Sequence, residues 1–63
     1  MAVYRLLLYR QSGWVDSVLR DLKDDLEAFE LAKTLDASDK IEGWRGARLV
    51  FSLNRDGSAN PPA

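Results

Sequence analysis

Residues 14–23 read Trp-Val-Asp-Ser-Val-Leu-Arg-Asp-Leu-Lys, and the interpretation of this stretch decides the fold. In one interpretation, apolar residues recur at helical spacing and a single helix runs from about Asp16 to Asp36. The apolar stripe of that helix consists of Val15, Val18, Leu19, Leu22, Leu26 and Phe29. In the other interpretation, Trp14 to about Arg20 is a strand that forms a hairpin with an earlier strand, and a shorter helix follows.

The directions of the apolar residues on a helical wheel favour the second interpretation. At about 100° per residue, the stripe that ends at Phe29 and the later apolar residues differ in direction by more than about 120°. A single helix on a single sheet cannot bury both stripes. Asp24, with Glu27 three residues later, forms a capping box for a helix that begins at Asp24 or Asp25. Because residues 20–34 are strong helix formers, the long helix stays open as the alternative.

Strand patterns lie on both sides of this stretch. Residues 3–10 are rich in aliphatic and aromatic side chains and predict a first strand, which ends at a turn over residues 11–13. Both faces of this strand are apolar, which is typical of a central strand or of one whose second face is covered. Residues 40–54 predict two further strands around the Gly-containing connection Arg45-Gly46-Ala47.

The last strand has the clearest alternation in the chain. Its predicted core face consists of Ala47, Leu49, Phe51 and Leu53, and its other face of Arg48, Val50, Ser52 and Asn54. The predicted fold class is therefore α+β: a four-stranded antiparallel sheet with one helix, residues 24–36, packed on one face. The predicted order is strand-strand-helix-strand-strand, and the alternative is strand-long helix-strand-strand. We expect residues 1–55 to form a single small domain and residues 56–63 to be a disordered tail.

Composition excludes several classes of protein. The 63 residues include neither cysteine nor histidine, which removes disulfides and nearly all structural zinc sites. No apolar run approaches the length of about 18 residues that a membrane span needs. The apolar stretch at Met1–Tyr9 lacks a small-residue cleavage site, so we expect no signal peptide and a cytoplasmic location. We expect no catalytic residues, no metal, no cofactor and no small-molecule substrate. The carboxylate pair Asp24/Asp25 is explained by helix capping.

Charge is unevenly distributed along the chain although the formal net charge is −1. Residues 16–42 hold nine acidic and four basic residues, whereas the flanking segments hold five arginines and one acid. The pattern predicts an acidic helical side and arginine-bearing terminal strands. The near-zero total argues against a nucleic-acid binder, because non-specific affinity for nucleic acid depends on neutralising phosphates.

The sheet face away from the helix is the candidate interaction surface, since one helix covers only one face of a sheet. Arginine and aromatic residues are enriched at protein interfaces. The candidate interface residues are Arg5, Leu7, Tyr9, Trp14, Trp44 and Arg48, with Val50 beside them.

We expect a small non-enzymatic protein-interaction module that acts by binding. Its partner would be another protein or a second copy of the chain, in a homodimer formed through the open sheet face or an edge strand. An inhibitor encoded by a phage or mobile element, with an acidic helix imitating nucleic acid, fits the same features. The alternative is a small single-stranded nucleic-acid-binding protein that uses the arginine and aromatic residues of the sheet face. We expect no membrane partner.

The segment from Asp24 to Leu53 resembles a group of very small uncharacterised proteobacterial proteins. The resemblance rests on an acidic-capped helix followed by a hairpin with the pattern W-x-G-x-R-L-V, here Trp44, Gly46 and Arg48-Leu49-Val50. An N-terminal hairpin usually precedes the helix in that group, which implies the hairpin interpretation here. The chain departs from the group at Gly43, where a β-branched residue is usual. The resemblance implies a fold, and it implies no activity.

Overall fold

The computed structural model describes residues 2–35 and 39–62, and its architecture is α+β with one helix and an open antiparallel sheet of five strands. The elements are β1 (Ala2–Tyr9), β2 (Val15–Leu22), α1 (Asp25–Thr34), β3 (Lys40–Arg45), β4 (Arg48–Asn54) and β5 (Ala59–Asn60). The strands lie in the order β2-β1-β3-β4-β5. The hairpin interpretation of residues 14–23 is confirmed, and the long-helix alternative is wrong.

β1 and β2 form a hairpin with eight consecutive register pairs, from Ala2–Leu22 to Tyr9–Val15. The turn between them contains Gly13 in the left-handed region, at φ +87°. The other side of β1 pairs with β3, so β1 is a central strand. This position leaves the second face of β1 uncovered by the helix, and Val3 and Arg5 are exposed there.

Helix α1 begins where the capping pattern predicts. Asp24 is the N-cap, and its side chain accepts a hydrogen bond of 2.8 Å from the Glu27 N–H. The Glu27 carboxylate accepts a bond of 3.1 Å from the N–H of Lys23 rather than from that of Asp24, so the capping box is closed one residue early. The helix ends at Thr34, and the predicted end at Asp36 lies outside the described residues.

The hydrophobic core lies between α1 and one face of the sheet. Tyr4, Leu6 and Leu8 of β1 are buried, and the helix contributes Ala28, Phe29 and Ala32. The rings of Phe29 and Phe51 meet edge to face, with their centroids 5.3 Å apart. Leu31, on the helical stripe, is only half-buried at the margin of this core.

A β-bulge in the β3–β4 hairpin overturns part of the predicted alternation. Gly43 pairs with Phe51, but the next residue of β3, Trp44, pairs with Leu49, so Val50 is an extra residue without a partner. Leu49 consequently lies on the face of the sheet away from the helix and is 47% exposed. Its predicted place in the core is wrong, because a one-residue shift exchanges the two faces of a strand.

The segment predicted to be a disordered tail contains the fifth strand. Gly57 has φ +91° and its N–H donates to the Asn54 carbonyl at 3.0 Å, which turns the chain back on itself. Ala59 and Asn60 then pair with Leu53 and Ser52 at the edge of the sheet. The composition of this segment did not indicate that pairing.

Candidate protein-interaction surface

The open face is our name for the side of the sheet away from α1. The registers place there Val3, Arg5, Leu7, Tyr9, Val15, Ser17, Leu19, Asp21, Lys40, Glu42, Trp44, Leu49, Ser52 and Asn54. Four of the six predicted interface residues lie on it: Arg5, Leu7, Tyr9 and Trp44. Arg5 and Trp44 are direct cross-strand partners. The structure therefore brings together most of the predicted surface on two adjacent strands.

Arg48 does not lie on the open face, and its predicted position is wrong. Beyond the bulge its register partner is Arg45. The Arg48 guanidinium reaches to the helix side, where Nη2 lies 3.2 Å from Oδ2 of Asp25, the first residue of α1. Val50 is the extra residue of the bulge in β4. The side chains of β4 that precede it therefore lie on the face opposite to the one that strict alternation predicts.

Trp14 lies at the turn end of the β1–β2 hairpin and apart from the other predicted residues. It is 64% exposed, and its Nε1 donates to Asp16 Oδ1 at 2.7 Å. Asp16 pairs in register with Leu8, whose side chain belongs to the core on the helix side. This hydrogen bond from Trp14 and the ion pair with Arg10 lower the pKa of Asp16, against the effect of burial.

A partly buried carboxylate, that of Glu42, organises the middle of the open face. The Glu42 side chain is 15% exposed. Tyr9 Oη donates to its Oε1 at 2.8 Å, Trp44 Nε1 donates to the same oxygen at 3.3 Å, and Lys40 Nζ lies 3.2 Å from Oε2. Burial opposes the charge on Glu42, but the three donors outweigh it and lower its pKa. Because it donates to Glu42, Tyr9 has a raised pKa. The network fixes two aromatic side chains on this face.

The sequence analysis missed four apolar residues of the open face. Val3 is 59% exposed, Leu19 56%, Leu49 47% and Val15 45%. The two residues of β2 could have been found once residues 14–20 were interpreted as a strand, because Val15 and Leu19 share one face at a spacing of four. Leu49 could not have been found, since its position depends on the bulge. Val3 and Leu19 lie diagonally across the β1–β2 pair, and Leu49 lies at the end of the row formed by Leu19, Arg5 and Trp44.

Arg5 has no ion-pair or hydrogen-bond partner among the described residues, although it lies between Leu19 and Trp44 in the sheet. An unpaired guanidinium with apolar neighbours on both sides favours a partner that carries a carboxylate. The open face thus combines apolar area, anchored aromatic rings and one available cation.

A second cluster of polar side chains lies on the helix side and supports the fold. The hydroxyl of the buried Tyr4 donates to Asp25 Oδ1 at 2.5 Å, and the Arg45 guanidinium lies 5.9 Å from the centroid of the Tyr4 ring. This hydrogen bond from Tyr4, followed by that from Arg48, lowers the pKa of Asp25 against the effect of burial. The same bond raises the pKa of Tyr4. The cluster connects the start of α1 to β1 and β4.

A cleft with a volume of about 660 Å³ lies between the end of α1, the start of β3 and the end of β4. Its lining includes one described carboxylate, Asp39, which is paired with Arg55 at 3.0 Å. The described residues contain no group of three or more side chains that could hold a metal ion. Within residues 2–35 and 39–62, no helix has the length and apolarity needed to cross a bilayer.

In comparisons with known proteins, no family model, no curated protein and no solved structure matches the chain.

Proposed function

We propose that the chain is a non-enzymatic interaction module that binds protein through its open face, in the first place a second copy of itself. The observation that carries this proposal is the exposure of Val3, Leu19 and Leu49 on one face of the sheet, which also carries the anchored rings of Tyr9 and Trp44. Burying an apolar side chain of this kind contributes roughly 1.5–3 kcal/mol when the burial is complete. The helix covers only one face of the sheet. Association of two copies would bury the apolar side chains of the other face.

The dimensions and charges of the open face suit a second copy. The molecule measures 32 × 20 × 20 Å, so one broad face spans about 640 Å², within the roughly 600–1,000 Å² per partner of a standard-size interface. The face carries both an unpaired cation, Arg5, and an acid, Asp21, that makes no ion pair with the described residues. Two copies stacked about a two-fold axis can pair each charge with the opposite charge of the other chain.

The test is the solution mass of two matched variants. Val3→Lys with Leu49→Lys places charges on the open face at two exposed positions and leaves the core untouched. Leu26→Lys is the control, because Leu26 is 60% exposed on the helix. Sedimentation equilibrium of the parent at high micromolar concentration should give a mass above the 7.1 kDa of one chain. The double variant should lower that mass and the control should not.

Two results contradict the proposal, and they differ in meaning. A parent chain that sediments at 7.1 kDa at high micromolar concentration does not associate with itself. If the unchanged chain and the double variant have the same association constant, the chain associates through another surface. Circular dichroism of each variant confirms that the comparison is made between folded chains.

A further inference from the structure

We propose that two copies of the chain also pair along β2, forming an antiparallel ladder centred on Val18 that joins their sheets into one. The inference rests on the proposed self-association and adds a second contact to it. β2 is the outer strand of the sheet, and no described strand pairs with its outer side. It is eight residues long and contains no proline and no bulge, whereas the opposite edge is the two-residue β5. Its charged residues, Asp16, Arg20 and Asp21, restrict the registers in which a second strand can pair with it. Long unprotected edges are templates for strand addition.

The outward-pointing backbone groups of β2 follow from the hairpin. Arg10 N–H donates to the Trp14 carbonyl at 2.9 Å, which identifies that pair as a hydrogen-bonded one. Hydrogen-bonded and non-hydrogen-bonded pairs alternate along an antiparallel ladder. The even residues of β2 therefore point their N–H and C=O groups towards β1. The odd residues, Ser17 and Leu19 among them, point theirs outward to the free edge.

Side-chain charge selects the register. A two-fold axis perpendicular to the sheet keeps both helices on one side, so each residue must pair with one of its own face. Centring the ladder on Val18 places Asp16 opposite Arg20 of the second copy, twice by symmetry. Centring it on Asp16, Arg20 or Asp21 places like charges together. Within Val15–Leu22, the Val18-centred register is therefore the one that pairs opposite charges directly.

The Val18-centred register also satisfies the backbone. Ser17 pairs with Leu19 of the second copy, and both residues have outward-pointing groups. Asp16 and Arg20 fall in the non-hydrogen-bonded pairs, whose side chains approach more closely, at a Cα separation of about 4.5 Å. In the single chain the Arg20 guanidinium donates to the Leu19 carbonyl at 3.1 Å. Pairing gives that carbonyl an N–H of the second copy and frees Arg20 to join Arg10 and Trp14 at the carboxylate of Asp16.

The two contacts are geometrically compatible. Pairing of β2 uses an axis perpendicular to the sheet, and stacking of open faces uses an axis in its plane. Where the two axes intersect, they generate a closed tetramer of dihedral symmetry, four times the chain mass of 7.1 kDa. Removal of either contact leaves a dimer.

The decisive variant is Ser17→Pro, with Ser17→Ala as its control. Because the Ser17 N–H points outward, proline there costs no bond within the chain but blocks the ladder with a second copy. In the Val3→Lys/Leu49→Lys background, where the open-face contact is removed, we expect a dimer that Ser17→Pro converts to a monomer and Ser17→Ala preserves. If the Val3→Lys/Leu49→Lys variant is already a monomer before residue 17 is changed, the edge contact is overturned. If that variant keeps the mass of the unchanged protein, the result counts against the open-face contact instead.

Amide hydrogen exchange of the parent gives an independent measurement that needs no variant. The Ser17 and Leu19 amides should become protected as concentration rises, whereas the Val18 amide is protected at all concentrations. Stacking of open faces alone makes no backbone hydrogen bonds at this edge. Fast exchange at Ser17 and Leu19 in the fully associated protein would overturn the inference.

Mixed charge variants test the register. Arg20→Asp and Asp16→Arg each place like charges opposite one another in a ladder of identical chains and should weaken pairing about tenfold. An equimolar mixture of the two variants restores both opposite-charge pairs and should recover the parent affinity in a mixed dimer. A mixture that associates no better than its components contradicts the Val18-centred register.

Discussion

Gly43 lies directly opposite Phe51 in the β3–β4 ladder, and the Phe51 ring occupies the space in which a side chain at residue 43 would stand. A Cβ at Gly43 would overlap that ring. The glycine is thus required by the packing of the largest side chain in this part of the core. It explains why the sequence pattern of β3 has a glycine where a strand would otherwise favour a β-branched residue.

Replacing Gly43 by alanine should destabilise the fold by about 1–3 kcal/mol, because the buried Phe51 ring must move to admit a methyl group. Urea denaturation monitored by tryptophan fluorescence measures the change. Phe51→Leu makes room at the same place, so the double variant should be more stable than the sum of the two single effects. Additive effects would show that the ring does not constrain residue 43.

Deleting Val50 should leave a cooperatively folding chain with the present strand register, because Val50 is the extra residue of the bulge. The deletion loses one buried side chain, at a cost of roughly 1.5–3 kcal/mol. Deleting Ser52 is the matched control: it removes a paired residue and shifts every neighbour to the wrong face. Thermal unfolding should show a clear transition for the first deletion and none for the second. Equal damage from both would contradict the bulge.

The Tyr4–Asp25 hydrogen bond should make the stability of the chain sensitive to acid. The folded-state pKa of Asp25 lies below its unfolded value, so its contribution is complete above that value, about 3.9, and is lost as pH falls through the folded pKa. Asp25→Asn should lower the free energy of unfolding at neutral pH and flatten its decline below about pH 4. Glu30→Gln is the control, because Glu30 lies on the helix away from the open face and its ion pair with Lys33, at 3.4 Å, is solvent-exposed.

Single-stranded nucleic acid should not bind the chain with the affinity of a dedicated binding module. Arg48 is engaged with Asp25, and Lys40 is engaged with Glu42, which leaves Arg5 as the unpaired cation of the open face among the described residues. Fluorescence anisotropy with a labelled oligonucleotide, at about 50 and about 200 mM salt, measures this. Tight binding that weakens steeply with salt and is lost in Arg5→Ala would instead support nucleic-acid binding.

Much of the fold follows from local patterns in the sequence. The change in direction of the apolar stripe separated β2 from α1, and Asp24 with Glu27 located the helix start, because capping involves only neighbouring residues. Gly13 and Gly46, both with positive φ, lie at the two predicted hairpin turns. The open face was also predictable in part, since alternation in β1 already separated Arg5, Leu7 and Tyr9 from the core residues.

The other features of the fold depend on pairing between strands, and the alternation of residues within one strand does not predict that pairing. The sequence by itself determined the α+β class, the break before the helix and the first-strand residues of the candidate surface. Only the tertiary structure decided that Val50 forms a bulge, that Arg48 thereby reaches Asp25, and that Leu49 joins the open face. It also decided that β2 lies at the edge of the sheet, with no described strand on its outer side. The physical reason is that register and strand order depend on contacts between residues distant in sequence, which single-strand patterns do not encode.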